Sequence, residues 1–121
     1  MHDLDEAVKA VVKFIDRPGD AIDWSNTTLI VTADHANSYL RLEKQLGPGQ
    51  LPEQRSTDQG WSYPDGSISY YGGYHTNELI AVYVRGNVED RVTNYATVYP
   101  GISDIIDDTS IYELTLDAAW R

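Results

Sequence analysis

The chain has no cysteine, one phenylalanine and one methionine, and only nine lysines and arginines against 19 aspartates and glutamates. Each shortage excludes something. Without cysteine there is neither a disulfide nor a thiolate metal site, so any bound metal must rest on imidazole and oxygen donors. A net charge of -10 argues against nucleic acid and anionic membranes as partners, because both need a basic patch. The same charge repels phosphate esters unless bound cations reverse it locally. No apolar run has the length of a membrane span, and no signal segment is visible. What remains suits one folded domain over residues 1–121, since 41% hydrophobic residues are enough for a core. Its aromatic share is mostly tyrosine, nine in all.

The most informative segment is Thr28-Leu29-Ile30-Val31-Thr32-Ala33-Asp34-His35. An apolar, β-rich run without polar alternation is expected of a strand buried on both faces of a parallel sheet. Ligands in such sheets gather where strands end at their carboxyl edge, which is where Asp34 and His35 fall. An acid and a histidine there can give oxygen and nitrogen to a divalent metal such as zinc. The plain reading of the dipeptide is a capping acid and a satisfied histidine. Two further histidines bear on the choice. His2 is set aside as a solvated residue near the N-terminus. His75 stands in Gly72-Gly73-Tyr74-His75-Thr76-Asn77-Glu78, just before a second apolar run, Leu79-Ile80-Ala81-Val82-Tyr83-Val84. By itself this would be a glycine turn with a surface histidine. Glu78 is the acid nearest His75, with a structural or surface role expected.

Around these motifs the chain reads as helix, strand, long excursion, strand, helix. The first helix is expected over about Leu4 to Ile15. Asp3 and Glu6 stand at capping-box spacing, Leu4, Ala7, Val8, Val11, Val12 and Ile15 make an apolar face, and Pro18-Gly19 is the stop. Residues 36–60 read as an irregular polar loop. Trp61-Ser62-Tyr63 and Ser67-Ile68-Ser69-Tyr70-Tyr71 flank Pro64-Asp65-Gly66 and predict a small β-hairpin. A surface salt bridge is the default for Arg91. Ser110 and Glu113 at capping-box spacing predict a last helix.

Taken together, these residues resemble a known family. Thr32-Ala33-Asp34-His35, followed about forty residues later by Gly73-Tyr74-His75-Thr76, resembles the C-terminal part of an alkaline phosphatase. Asp3-Leu4-Asp5-Glu6-Ala7-Val8 is similar to the family's helix at that position. Asp107-Asp108-Thr109-Ser110-Ile111-Tyr112 is similar to its final element. The similarity spans nearly the whole chain in order. Ala36-Asn37 departs from the acidic residue and glycine that many relatives carry after the Asp-His pair.

The resemblance implies an α/β fold of mostly parallel strands packed with helices, and metal-dependent hydrolysis of phosphate monoesters. It implies two zinc ions and a magnesium. Asp34 and His35 match ligands of one zinc, and His75 matches a ligand of the other. The nucleophilic serine, the phosphate-binding arginine and the remaining ligands lie nearer the N-terminus in the family and have no counterpart here. The chain is therefore expected to be a C-terminal fragment, with no catalytic residue of its own and inactive alone. Its expected partners are a phosphate monoester and inorganic phosphate in the complete enzyme, and either a missing N-terminal portion or a second copy. By resemblance the parent would be periplasmic or secreted. A phosphodiesterase or sulfatase of the same superfamily is an alternative parent, and a non-catalytic metal-binding or interaction module is an alternative of another class.

Overall fold

A computed structural model describes residues 2–19, 21–99 and 101–120. These form two compact units, one from residues 1–32 and 82–121, the other from residues 33–81.

The first unit opens with α1 (His2–Ile15). The helix starts before Asp3, so this acid lies inside the first turn rather than at the cap, where its charge still favours the helix dipole. Gly19, at φ 81°, follows the stop. Of the expected apolar face only Ile15 is buried; Leu4 and Val11 are exposed, as is Phe14. Strand β1 (Thr28–Val31) pairs with a strand we number β8 (Tyr83–Gly86), with Thr28 opposite Gly86 and Val31 opposite Tyr83. A 3-10 helix (Glu89–Tyr95) follows β8, and further on comes α2 (Thr109–Ala119). Asp107 Oδ1 accepts from the Thr109 amide at 3.0 Å, so the cap of α2 lies earlier than the Ser110 spacing predicted. The unit's buried hydrophobic residues, among those described, are Ile15, Val88 and Leu114. Burying a side chain such as Leu114 contributes about 1.5–3 kcal/mol.

Polar contacts tie this unit's elements together. The Trp24 ring nitrogen donates to Asp16 Oδ1 at 2.7 Å, and the Arg85 guanidinium sits 4.0 Å from the Trp24 ring centre. Trp24 thus joins the end of α1 to β8. Arg91 pairs with Asp117 of α2 at 3.3 Å, and the Tyr95 hydroxyl donates to the same oxygen at 2.9 Å.

The expected parallel α/β sheet is not what forms. The β1–β8 pair is antiparallel, as is every other strand pair among the described residues. Parallel neighbours need a long crossover, usually a helix. Residues 32–82 contain no helix among those described and are built from short strands instead. The second apolar run also becomes strand only from Tyr83, where exposure alternates along Tyr83, Val84, Arg85 and Gly86. That is the signature of a strand covered on one face, not two.

The second unit is a set of short antiparallel ladders. Strand β2 (Ala36–Asn37) pairs with β7 (His75–Thr76), β3 (Leu40–Leu42) with β6 (Ile68–Tyr70), and β4 (Arg55–Thr57) with β5 (Gly60–Ser62). The stretch read as an irregular loop over 36–60 therefore holds three strands and the first residue of a fourth. The hairpin expected around Pro64-Asp65-Gly66 is also corrected. Its turn is real, with the Gly66 amide bonded to the Tyr63 carbonyl at 3.0 Å, but its flanks find partners elsewhere, in β4 and β3. Of the described residues in this unit, only Ser67 is buried. Backbone ladders hold the unit, not a hydrophobic core. The paired strands β9 (Thr97–Tyr99) and β10 (Ile102–Ile105) belong to the first unit.

Candidate functional site

Asp34, His35 and His75 all lie in the second unit. The β2–β7 ladder sets His75 opposite Asn37, two residues beyond His35. This register brings the two imidazoles face to face, with ring centres 3.5 Å apart and planes inclined by 28°. Thirty-nine residues of intervening sequence are folded back to make that contact.

Two hydrogen bonds and one close approach define the arrangement of His35 and Asp34. The His35 ring Nδ1 lies 2.9 Å from the Ala36 carbonyl oxygen. A carbonyl can only accept, so Nδ1 carries the proton, and in the neutral ring Nε2 presents a lone pair. Asp34 Oδ1 accepts from the His35 amide at 3.1 Å, and its Oδ2 lies 3.3 Å from His35 Nε2. A carboxylate oxygen and an imidazole lone pair at that distance repel unless a cation stands between them. A proton on Nε2 would serve, and so would a metal ion. Two ligands of one tetrahedral zinc, each about 2.0 Å from it, stand about 3.3 Å apart, which the Asp34–His35 spacing matches. An Nδ1–H held by a backbone carbonyl is also the usual way a metal-binding imidazole is oriented. Asp34 is 86% exposed and His35 34%, so an ion could reach both.

The donor set is short. Among the described residues no three His, Cys, Asp or Glu side chains gather where one ion could hold them. His75 joins the pair through its ring face, and a further ion on His75 would draw its other ligands from outside these residues. The side chain of His2 lies outside the described structure.

The acid beside His75 is committed elsewhere. Glu78 Oε1 is ion-paired with Arg41 Nη1, and Oε2 accepts from the Thr76 hydroxyl at 3.0 Å. The Arg41 hydrogen bond holds the Glu78 carboxyl below the usual carboxylate range. Held in this way, Glu78 does not join the two histidines or Asp34 in a three-donor group among the described residues. Nothing in the sequence singles out Arg41, because its partner is distant along the chain and no spacing rule connects them. Next to the site the backbone is irregular. Between β2 and β3 the residues Ser38 and Tyr39 both have positive φ, 61° and 45°. They face the four residues 71–74 across the gap between the two ladders. The Ser38 carbonyl accepts from the amides of both Tyr71 and Gly72, at 2.9 and 3.1 Å.

Comparison with protein families, with characterised proteins and with solved structures finds no match to this chain.

Proposed function

We propose that this chain supplies part of a two-zinc centre that hydrolyses phosphate monoesters, the rest of the centre coming from polypeptide outside it. The observation that carries the reading is the His35–His75 contact: two separate motifs deliver their imidazoles to one place. The reaction and the two zinc ions come from the sequence resemblance, and these residues and their contacts support it; the parallel fold once expected around them does not.

In this reading Asp34 Oδ2 and His35 Nε2 hold one zinc, and His75 holds another. Zinc bound there would offset the chain's negative charge and stabilise charge developing on phosphoryl oxygens. The chain's own part is positioning. The Ala36 carbonyl fixes the His35 tautomer, the Asp34 carboxylate adds negative charge to the site, and the β2–β7 register sets His75 beside His35. The short donor set supports a division of labour in which the nucleophile and further ligands come from elsewhere. It also favours a second reading, a metal-binding module without catalysis.

Zinc titration by calorimetry tests the shared core of both readings. We expect one or two ions to bind, with affinity falling roughly tenfold or more, about 1.4 kcal/mol, in His35→Ala and in His75→Ala. An unchanged isotherm in both variants sinks the proposal. Assay of p-nitrophenyl phosphate with zinc and magnesium should give no sustained turnover by the chain alone. Turnover restored by adding an N-terminal alkaline phosphatase segment selects the hydrolase over the module.

A further inference from the structure

We propose that Arg41, Glu78 and Thr76 form a brace whose task is to hold His75 against His35. The inference rests on the metal-centre reading for its purpose, but its geometry stands independently.

The β2–β7 ladder contains only two residue pairs, Ala36 opposite Thr76 and Asn37 opposite His75. Two pairs are a weak hold on register, and a slip of one residue would turn His75 to the other face. The neighbouring β3–β6 ladder does not continue it in regular pairing, because two residues on one strand face four on the other; Ser38 bridges the gap, its amide donating to the Tyr74 carbonyl at 2.9 Å and its carbonyl accepting from the Tyr71 and Gly72 amides. Side chains that cross this irregular stretch add to that backbone hold on β7. Arg41 is the central residue of β3, set opposite Ser69. From there its guanidinium reaches across to Glu78 Oε1, while its Nη1 also donates to the Leu40 carbonyl at 3.1 Å. Glu78 in turn binds the Thr76 hydroxyl through Oε2. Thr76 is the residue next to His75. The chain of contacts runs from a three-pair ladder, across the irregular stretch, to the backbone that carries the imidazole. The Glu78 side chain is 22% exposed, which shelters the pair from part of the solvent screening.

An alternative role for the same trio is catalytic, with Thr76 as nucleophile, Glu78 as its base and Arg41 orienting the base. The arginine argues against it. A carboxylate stabilised by a guanidinium is a poorer proton acceptor, and the direction of the Glu78 shift agrees. We assign these three residues as positioning residues.

The test separates the brace from the metal reading by using two measurements on the full chain. In the metal-free protein, nuclear Overhauser contacts between the His35 and His75 ring protons report the stack directly. We expect them in the wild type, and expect them lost in Glu78→Gln and Arg41→Gln, with the β1–β8 amide signals unchanged. The exchange Arg41→Glu with Glu78→Arg should restore them. Thr76→Val, which keeps the shape and removes only the hydroxyl, should weaken them at least twofold and serves if the charge variants fail to fold. Absence of the contact in the wild type, or its persistence in the two glutamine variants and Thr76→Val, overturns the brace. Zinc affinity, measured in parallel, should drop roughly tenfold in Glu78→Gln. A wild type that shows the ring contact but binds no zinc refutes the metal reading and leaves the brace standing. Zinc binding with an unaltered ring contact in every variant refutes only the brace.

Discussion

His35 owes its orientation to the carbonyl of the very next residue, and that makes Asp34 the sensitive position at the residue scale. Replacing Asp34 with Asn keeps the size and removes the negative charge that faces Nε2. We expect zinc affinity to fall roughly tenfold or more, about 1.4 kcal/mol, with no loss of folded signal, because the side chain is almost fully exposed. Affinity equal to wild type would remove Asp34 from the ligand set. Glu78 gives a prediction in pH. Its carboxyl is depressed in the folded chain, chiefly by the Arg41 hydrogen bond. A depressed folded pKa adds stability that is present above the unfolded carboxylate's pKa and is lost as pH falls through the folded one. The brace should therefore hold at neutral pH and release only in acid, below the range where free glutamate titrates. Carbon-detected titration of the Glu78 carboxyl checks this. The depression should shrink in Arg41→Gln, and a Glu78 midpoint at or above the ordinary glutamate value would contradict the ion pair.

At the scale of elements, the end of β8 is the least forgiving place. Gly86 has φ 118°, and a Cβ there would lie 1.9 Å from the Thr27 carbonyl oxygen. The neighbouring Asn87 amide donates to that same carbonyl at 3.1 Å. Gly86→Ala must therefore both strain its own backbone and push β1 and β8 apart. We expect a loss of roughly 1–3 kcal/mol, read as a lower urea midpoint with the slope unchanged. Gly66→Ala is the informative contrast. Its φ is 67°, but open space surrounds the would-be Cβ, so only the conformational part of the cost applies. Equal stability of Gly86→Ala and wild type would mean that the β1–β8 register is not the one described. The helices were legible in the sequence from apolar spacing and from stop and cap residues, with ends displaced by a residue or two. The ladders of the second unit were not, because strands of two or three residues carry too little periodicity to read.

On the scale of the whole molecule, the balance of buried and exposed apolar groups is unusual. The accessible surface is 9457 Å², whereas a folded monomer of this size exposes about 6,600 Å², and two separately folded units of these lengths about 7,900 Å². Leu4, Leu51, Trp61, Leu79, Tyr83, Val98 and Trp120 are among the large hydrophobic residues left exposed. Such exposure marks an interface or an aggregation risk. No helix among the described residues is long and apolar enough to cross a membrane. We expect the chain to bind a hydrophobic dye and to sediment as dimers or larger species near neutral pH. Association should strengthen with salt as the repulsion between copies of net charge -10 is screened. A strictly monomeric species at high concentration, without dye binding, would reject this.

By itself the sequence determined the donor chemistry. With no cysteine and three histidines, a metal could meet only imidazole and oxygen, and the Asp34-His35 and His75 motifs stood out because each adjoins an apolar run. It also determined α1 and α2, whose signals are local. Tertiary structure alone decided the direction of pairing, since an apolar run reports that a strand wants cover and not which way its neighbour runs. It alone brought the His35 and His75 rings to 3.5 Å, and it alone gave Glu78 to Arg41. Those contacts join residues 40 and 37 positions apart, a separation at which no helical or strand period links one side chain to another.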